Sequence, residues 1–323
     1  MRKYDVTALG ELLIDFTENG KSEQGNSIFE ANPGGAPCNV LAMLSKLGHK
    51  TAFIGKVGND SFGKQLKGVL EEVGIDTNYL YIDDEVHTTL ALVHTLADGD
   101  RDFSFYRNPG ADMMLTEEEI SEDIITNSKI FHFGTLSMTH EGVRKATKKA
   151  LDVAKKAGCI ISFDPNLRPP LWDSLENAKE QVLYGLKYCD ILKISDNEIQ
   201  WLTGEEDYTD GVNWILDRFQ IPLILVSMGK DGSRAYYKGS MVEQDPFLQE
   251  NTIETTGAGD TFGGCVLHYI CHYGLENLTE ENLLEMLRFS NAAAALITTK
   301  KGALRVMPST EEINRILEKR RNE

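Results

Sequence analysis

The sequence predicts an α/β protein with a mostly parallel central sheet that helices cover on both faces. Strand-like and helix-like segments alternate along most of the 323 residues. The strand-like segments are short and almost continuously apolar, which is typical of strands buried on both faces of a parallel sheet. Only two stretches break the alternation, and a hydrophobic content of 41% is sufficient for a large core.

The alternating segments can be placed in order along the chain. We predict strands at 6–10, 51–55, 130–133, 160–163, 191–194 and 221–227. We predict helices at 37–47, 63–73, 141–156 and 175–188, of which the first two stop at Gly48 and Gly74.

The two stretches that break the alternation predict a small second sheet. Residues 12–32 are polar with alternating apolar positions, and 86–107 has the pattern of a long hairpin with a turn at 97–100. We therefore expect an antiparallel lid of 12–32 and 86–107, inserted into one continuous core of 1–11, 33–85 and 108–323. The exposed edges of such a lid favour strand pairing, which leaves a homodimer through the lid open beside a monomer.

Composition excludes several classes of partner. The net charge of −17 makes binding to nucleic acid or to an acidic membrane surface unfavourable. The five cysteines are scattered without a Cys-x-x-Cys pair, which is typical of a reducing compartment and not of a disulfide framework or a zinc site. No apolar run approaches the ~20 residues that span a bilayer, and the N-terminus lacks a signal-peptide pattern. We therefore expect a cytoplasmic protein.

The segment Thr255-Thr256-Gly257-Ala258-Gly259-Asp260 carries the strongest chemical signal. Glycines let the backbone approach a ligand closely, and the N-terminus of the apolar helix that follows offers free N–H groups to an anion. Asp260 stands at the edge of this site, where a carboxylate can take a proton from a group that attacks the anion. Phe262 replaces the third glycine of a dinucleotide motif, and neither a P-loop nor the protein-kinase motifs occur. A tightly packed helix start is the structural alternative.

Polar residues near predicted strand ends and helix starts are candidates for a small polar ligand. Gly34 and Gly35 precede a helix in which Asn39 offers both a donor and an acceptor, and Asp15 lies within an apolar run. A buried carboxylate needs hydrogen-bond donors, and sugar hydroxyls would supply them. An exposed loop or strand-end position is the alternative reading for each of these residues.

Further candidates follow later strands, at the sheet edge where ligands bind in open parallel sheets. Arg168 follows the strand at 160–163, and the segment from Lys193 to Glu198 follows the strand at 191–194. Ser227, Gly229 and Gly232 end the strand at 221–227, where a plain hairpin turn is the alternative. Small residues beside Asn291 leave room for a flat base or for close helix packing. His268 and His272 have no third metal-ligand partner, so we expect them to be packing or surface residues.

In this order, the motifs resemble those of the ribokinase-like (PfkB) family of carbohydrate kinases over essentially the whole chain. Its two signatures are the Gly34-Gly35 segment and Thr256-Gly257-Ala258-Gly259-Asp260, and the segments 105–113 and 164–172 are most similar to fructokinases. The resemblance implies a three-layer α/β/α core with a β-sheet lid, and phosphorylation of fructose by ATP. Another PfkB sugar kinase, above all one for 2-keto-3-deoxygluconate, is the alternative. A sugar or nucleotide sensor on this fold would not need both Asp260 and the anion site.

The resemblance also implies roles for individual residues. Asp260 would be the general base, and the N–H groups of Gly257, Ala258 and Gly259 would bind the transferred phosphate. The residues implied for the sugar are Asp15, Gly34, Gly35, Asn39, Phe105, Arg107 and Arg168. Those implied for the nucleotide are Lys193, Ser195, Ser227, Gly229, Gly232 and Asn291. Glu198 would face Mg²⁺ through water, and Asn197 matches the family pattern only loosely.

One residue departs from the family pattern. Members that bind K⁺ often have an aspartate directly before the Thr-Thr pair, where this sequence has Glu254. The longer side chain makes dependence on K⁺ doubtful.

Overall fold

The computed structural model of the protein describes residues 2–95 and 101–321, and within them two sheets are flanked by helices. The strands are β1 (Tyr4–Leu9), β2 (Leu13–Lys21), β3 (Ser27–Gly34), β4 (Thr51–Gly58), β5 (Ile75–Asp83), β6 (Leu90–Thr95), β7 (Arg101–Tyr106), β8 (Ser128–Gly134), β9 (Ile160–Asp164), β10 (Ile191–Ser195), β11 (Leu223–Ser227), β12 (Ser233–Tyr237) and β13 (Ser240–Gln244). The helices are α1 (Ala36–Lys46), α2 (Ser61–Glu72), α3 (Glu122–Thr126), α4 (Glu141–Lys156), α5 (Leu175–Leu186), α6 (Asp196–Thr203), α7 (Tyr208–Leu216), α8 (Ala258–Tyr273), α9 (Glu280–Ile297) and α10 (Thr310–Arg321).

The larger sheet has the order β13-β12-β11-β10-β9-β8-β1-β4-β5. Neighbouring strands from β11 to β5 run parallel, and only the pairs β11–β12 and β12–β13 are antiparallel. Two clusters of buried apolar side chains pack on this sheet, one with α1, α8 and α9 and the other with α4, α5 and α7. The predicted fold class, a mostly parallel sheet between two helical layers, is confirmed.

The smaller sheet has the order β3-β2-β6-β7 and contains the two stretches that were predicted as the lid. The prediction of an antiparallel lid is wrong for its central pair, because β2 and β6 run parallel, with Ile14 opposite Leu90. The reason is that β1 and β5 are parallel strands that end at the same edge of the larger sheet, so the chain enters β2 and β6 from the same side. The turn predicted at 97–100 falls in the segment 96–100, outside the described residues. The boundaries of lid and core remain a prediction.

The histidines of α8 have packing and surface positions, as expected. His268 Nδ1 lies 2.7 Å from Nε2 of His49, and its ring stacks on Phe289. His272 is exposed and touches the ring of Tyr273 edge to face. Among residues 2–95 and 101–321, no group of three or more His, Cys, Asp or Glu side chains is arranged to hold a metal ion. The helices of this part of the chain include none that is long and apolar enough to cross a membrane.

Helices α1 and α8 pack closely because α8 has a glycine at the contact. A Cβ atom added to Gly264 would lie 2.8 Å from Cβ of Met43 and 3.0 Å from the backbone oxygen of Val40. Real Cβ atoms essentially never approach another heavy atom within 3.0 Å. Gly263, the preceding residue of the same helix, has only Cγ2 of Val40 near this position, at 3.9 Å. The spacing of the two helices therefore depends on residue 264 and not on residue 263.

We predict that Gly264→Ala lowers the free energy of unfolding by about 1–3 kcal/mol, the usual cost of overpacking a core. The measurement is urea unfolding followed by circular dichroism. Gly263→Ala is the matched control, and it should leave the free energy of unfolding unchanged or raise it by about 0.5–1 kcal/mol, since alanine is the better helix former. Equal stability of the two variants would show that the helices are not in tight contact at residue 264.

Candidate active site

Two cavities meet at the N-terminus of α8, at the carboxyl edge of the larger sheet. The first has a volume of about 370 Å³ and extends towards the smaller sheet, and the second, of about 350 Å³, lies between the β11 turn and α9. Thr255 and Gly259 line both cavities. We call them the lid-side cavity and the α9-side cavity. A group bound at Thr255 and Gly259 is therefore accessible from both sides.

The junction of the two cavities has the features of an anion site. Gly257, the residue before α8, has a left-handed backbone with φ of 76°, and no side chain caps the helix. The N–H of Ala258 donates a 3.2 Å bond to the carbonyl of Thr255, whereas no backbone hydrogen bond within the described residues is made by the N–H of Gly257 or Gly259. Free N–H groups at a helix N-terminus favour an anion. Of the three predicted donors, Gly257 and Gly259 are thus the better placed.

Asp260 is a partly buried carboxylate held by a residue from the other signature motif. Its Oδ2 accepts a 2.8 Å hydrogen bond from Nδ2 of Asn39. Burial raises the pKa of Asp260, and the hydrogen bond from Asn39 and the charges of Lys193 and Arg168 oppose this rise. A carboxylate whose pKa is raised is a stronger base than an ordinary aspartate, and the opposing groups favour its ionised form. Two segments 221 residues apart therefore converge on one group that can accept a proton.

The side-chain oxygen of Asn39 is left without a partner. Asn39 is 3% exposed and lines the lid-side cavity, yet its Oδ1 accepts no hydrogen bond from the described residues. A buried acceptor without a partner is energetically costly, and a ligand hydroxyl in the cavity would satisfy it.

Lys193 supplies positive charge at the junction. Its Nζ forms a 3.0 Å ion pair with Oδ2 of Asp164, and a Cβ atom on Gly259 would lie only 3.1 Å from the same nitrogen. Burial alone would lower the pKa of Lys193, but the carboxylates of Asp164, Glu198 and Asp260 raise it above its usual value, so the side chain is a cation. Burial raises the pKa of Asp164 to about 6, against the opposing charge of Lys193. Lys193 was predicted to contact the nucleotide. It lines the lid-side cavity and is not among the residues that line the α9-side cavity.

The predicted sugar-side residues mostly come together. Asp15, Gly35, Asn39, Phe105 and Arg168 all line the lid-side cavity. Gly35 has φ of 124°, and a Cβ atom there would lie 2.4 Å from the carbonyl oxygen of Glu11, so only glycine fits. Gly34 lies behind the cavity wall, where a Cβ atom would come within 2.3 Å of Oδ2 of Asp15. Its lack of a side chain gives Asp15 room.

Arg107 is an exception among the sugar-side predictions, because its guanidinium does not line either cavity. It is buried in an ion pair with Asp112 at 2.6 Å and donates further bonds to Oγ1 of Thr139 and the carbonyl of Leu136. An arginine buried this completely needs a carboxylate partner, and Asp112 provides one five residues along the chain. The structure therefore gives Arg107 a position behind the cavity wall instead of the predicted ligand contact.

The α9-side cavity has mostly apolar walls with glycines at its entrance. Ser227, Gly229, Gly232 and Asn291 line it, as the sequence predicted. However, both polar atoms of the Asn291 side chain already have hydrogen-bond partners within the protein. Its Oδ1 accepts from Oγ of Ser233 at 2.9 Å, and its Nδ2 donates to two carbonyls of the 244–245 segment at 3.1 Å. Asn291 thus fixes the cavity wall, and the small residues beside it leave room for a flat ring.

The predicted metal-side residues do not form a direct metal site. Both carboxylate oxygens of Glu198 accept hydrogen bonds, from the N–H and hydroxyl of Ser195 and from the N–H of Leu167. Asn197 is exposed, and neither residue lines a cavity at the junction. Ser195 caps α6 and is likewise outside the α9-side cavity. Glu198 thus ties the turn after β9 to the start of α6. Its predicted role, a contact with Mg²⁺ through water, stays a prediction, as does the looser assignment of Asn197.

One residue of the site, Glu11, was missed by the sequence analysis, and another, Asn166, was included only as part of the polar segment after the strand at 160–163. Glu11 is 3% exposed, lines the lid-side cavity and accepts a 2.8 Å hydrogen bond from the N–H of Ala36. Asn166 lines the same cavity and has a positive φ of 44°. Both follow parallel strands directly, β1 and β9, and this position was the available signal.

Comparisons with known proteins agree with this geometry. The sequence profile of the pfkB family of carbohydrate kinases matches residues 3–310. Fructokinase-1 of Zea mays is 40% identical over 316 residues, which are 97% of this chain and 98% of the relative. Among solved structures, fructokinase with bound ATP from Xylella fastidiosa superimposes with a TM-score of 0.89 at 28% identity, covering 98% of this chain and 99% of that one. Fructokinase from Vibrio cholerae O395, in a form with fructose, ADP and calcium ion bound, gives 0.87 at 29% identity over 97% and 99%.

The profile match extends over nearly the whole chain, and the relatives are covered from end to end. This chain combines the shared fold with both signature motifs and with the junction of two cavities. The protein belongs to the pfkB family of carbohydrate kinases.

Proposed function

We propose that this carbohydrate kinase is a fructokinase, which transfers the γ-phosphate of ATP to the 6-hydroxyl of D-fructose. The observation that carries the proposal is the meeting of the two cavities at Gly259, with Asp260 beside it. Phosphoryl transfer requires an acceptor and a donor on opposite sides of one anion site. The relatives named fructokinase at about 40% identity support fructose as the acceptor.

The sugar would bind in the lid-side cavity. Asp15 accepts hydrogen bonds from hydroxyl groups, and the free Oδ1 of Asn39 accepts another. Arg168 lies at the same cavity and lowers the pKa of Asp260 by its charge. These groups orient the hydroxyl that reacts towards Asp260, and positioning of this kind is a large part of the catalysis of phosphoryl transfer.

ATP would bind in the α9-side cavity, with its base beside Asn291 and its γ-phosphate at Gly259. The N-terminus of α8 and the Nζ of Lys193 would offset the charge of the transferred phosphoryl group. A metal ion would enter on the phosphates of the nucleotide as part of the substrate, because the protein offers no direct ligand set among its described residues.

In the reaction, Asp260 accepts the proton of the 6-hydroxyl as the sugar oxygen forms its bond to the γ-phosphorus. The bond between that phosphorus and the β–γ bridging oxygen breaks, and ADP leaves with the bond electrons. Asp260 then returns its proton to solvent. The expectation that Glu254 makes dependence on K⁺ doubtful, and that of a homodimer through the lid, stay predictions. Glu254 is buried and accepts a 2.8 Å hydrogen bond from the N–H of Gly302.

A sugar panel tests the substrate directly. We predict that kcat/KM for D-fructose exceeds that for 2-keto-3-deoxygluconate and for D-ribose by at least about tenfold, measured as ADP release coupled to NADH oxidation. Asp260→Asn protein purified in the same way controls for contaminating kinases. If kcat/KM is higher for either competitor than for D-fructose, that competitor is the preferred substrate and the fructokinase proposal is wrong.

Substitution of the base tests the mechanism. We predict that Asp260→Asn lowers kcat by about 10²–10⁴-fold, because the hydroxyl loses its proton acceptor, while the affinity for fructose changes little. The measurement is steady-state kinetics together with calorimetric titration of the sugar. Asp217→Asn, an exposed position at the end of α7, is the control for loss of one carboxylate. Near-normal turnover of the Asp260 variant would exclude Asp260 as the base.

Asn39 connects sugar binding to the pH dependence. The hydrogen bond from Asn39 lowers the pKa of Asp260, so its loss raises that pKa and protonates the base at a higher pH. We predict that Asn39→Leu raises the KM for fructose about tenfold, the effect of one lost hydrogen bond in a buried site. It should also move the acid limb of the kcat/KM profile to higher pH. An unchanged KM with an unchanged acid limb would contradict both roles, and the KM for ATP serves as the internal control.

A further inference from the structure

The start of α1 lacks an ordinary cap. Gly35 precedes the helix and has no side chain to accept a hydrogen bond, and the first turn contains no acidic residue. Pro37 has no N–H, so few donors are exposed at this end. Helix N-termini are normally stabilised by a side-chain oxygen on one of the first N–H groups, and by negative charge nearby.

Glu11 supplies that cap from a distant part of the chain. Its Oε1 accepts the hydrogen bond from the N–H of Ala36 at 2.8 Å, across 25 residues. Its backbone carbonyl oxygen lies directly against Gly35, where it leaves no room for a Cβ atom. The side chain and the backbone of Glu11 therefore hold the same turn.

The helix that Glu11 caps carries the sugar-side groups to the base. Asn39 is in the first turn of α1, and its Nδ2 is bonded to Asp260. A shift in the start of α1 would therefore move the free Oδ1 of Asn39 relative to the cavity. Glu11 itself lines both the lid-side cavity and a chamber of about 10 Å³ beneath it that Asp164 and Asp260 also line.

We propose that Glu11 is a positioning residue for the sugar, whose ionised carboxylate holds the first turn of α1, and with it Gly35 and Asn39, in the geometry that binds the acceptor hydroxyls. The inference rests on the proposed use of the lid-side cavity for the sugar. An ionised acceptor makes a stronger hydrogen bond than a neutral one and also interacts favourably with the helix dipole.

The charge of Glu11 changes within the working pH range. Burial raises the pKa of Glu11 to about 7, and the hydrogen bond from Ala36 opposes this rise. Above pH 7 the carboxylate is ionised and the cap is strong, and below pH 7 it is protonated and the cap weakens. Other titratable or charged groups face Glu11 or share its cavities: Asp15, Cys38, Arg107, Asp112, His132, Asp164, Arg168, Lys193 and Asp260. They are the same in wild type and variant, so a comparison of the two proteins isolates Glu11.

Glu11→Gln is the decisive variant because it keeps an acceptor oxygen and removes the charge. The experiment is calorimetric titration, without nucleotide, of the sugar that the wild type phosphorylates best, which is D-fructose if the proposed function holds. At pH 8.5 we expect the variant to bind about three- to tenfold more weakly than wild type, the difference between a charged and a neutral acceptor. At pH 5.5 the two affinities should agree within about twofold, because the wild-type carboxyl is then protonated as well.

Two further variants complete the test. Glu11→Leu removes the acceptor and should bind more weakly than Glu11→Gln at both pH values, whereas Glu122→Gln, an exposed residue at the start of α3, should match wild type at both. The same ratio of wild-type to Glu11→Gln affinity at the two pH values would overturn the proposal, since a purely structural role is not sensitive to this protonation. If the fructose assignment is wrong, the sugar panel on the wild-type protein shows a different preferred sugar, and this result is independent of the Glu11 variants. If Glu11→Leu does not fold, Glu11→Gln decides alone.

Discussion

The site depends on the hydrogen bond between Asn39 and Asp260, which joins the beginnings of α1 and α8. Each helix starts with a glycine of positive φ, Gly35 or Gly257. The N–H of Ala36 at the start of α1 is bonded to Glu11, whereas the N–H groups of Gly257 and Gly259 at the start of α8 make no backbone hydrogen bond within the described residues. The bond between Asn39 and Asp260 is possible only because the helices pack closely along their length, which Gly264 allows. The contact between α1 and α8 therefore fixes the orientation of Asp260 and the position of Oδ1 of Asn39 together.

The electrostatics of this unit are unusual for a protein with a net charge of −17. Three carboxyl groups, Glu11, Asp164 and the partly buried Asp260, lie around one small chamber, and loss of solvation raises the pKa of each. The positive charge of Lys193 opposes this rise at Asp164 and Asp260, and Arg168 adds to the effect at Asp260. The same positive groups face the place where phosphate charge would develop. The protein thus concentrates positive potential locally although its surface as a whole repels anions.

The sequence predicted the core of the fold because apolar runs of strand length and helical patterns are determined locally. The helix predicted at 141–156 coincides with α4, and the predicted α1 is shifted by one residue. The strand β5 was not predicted, since its buried and exposed residues do not alternate regularly. The signature motifs identified Asp260, Asn39 and Gly35 because each motif has one dominant chemistry. The sequence predicted a ligand contact for Arg107, which lies outside both cavities, and it did not single out Glu11. The position of a charged side chain depends on a partner such as Asp112 or Ala36, and these contacts are decided by the tertiary structure.

The two sheets contribute different parts of the candidate site, and this suggests how one family can act on different sugars. The groups at the junction, Asp260, Gly259 and Lys193, belong to elements of the larger sheet and its helices. In the proposed function they would face the transferred phosphate, which every carbohydrate kinase handles. Asp15 and Phe105 belong to strands β2 and β7 of the smaller sheet and line the other end of the lid-side cavity. On the proposed use of the lid-side cavity, a change of sugar would need changes in the smaller sheet and in the loops after β1 and β9, and it would leave Asp260 and the N-terminus of α8 intact. Asn39 and Glu11 stand between these two regions, since one contacts the base and the other caps the helix that carries it. A substitution of either residue would therefore affect sugar binding and the orientation of Asp260 at the same time. At these positions a change in sugar preference is expected to come with a change in kcat.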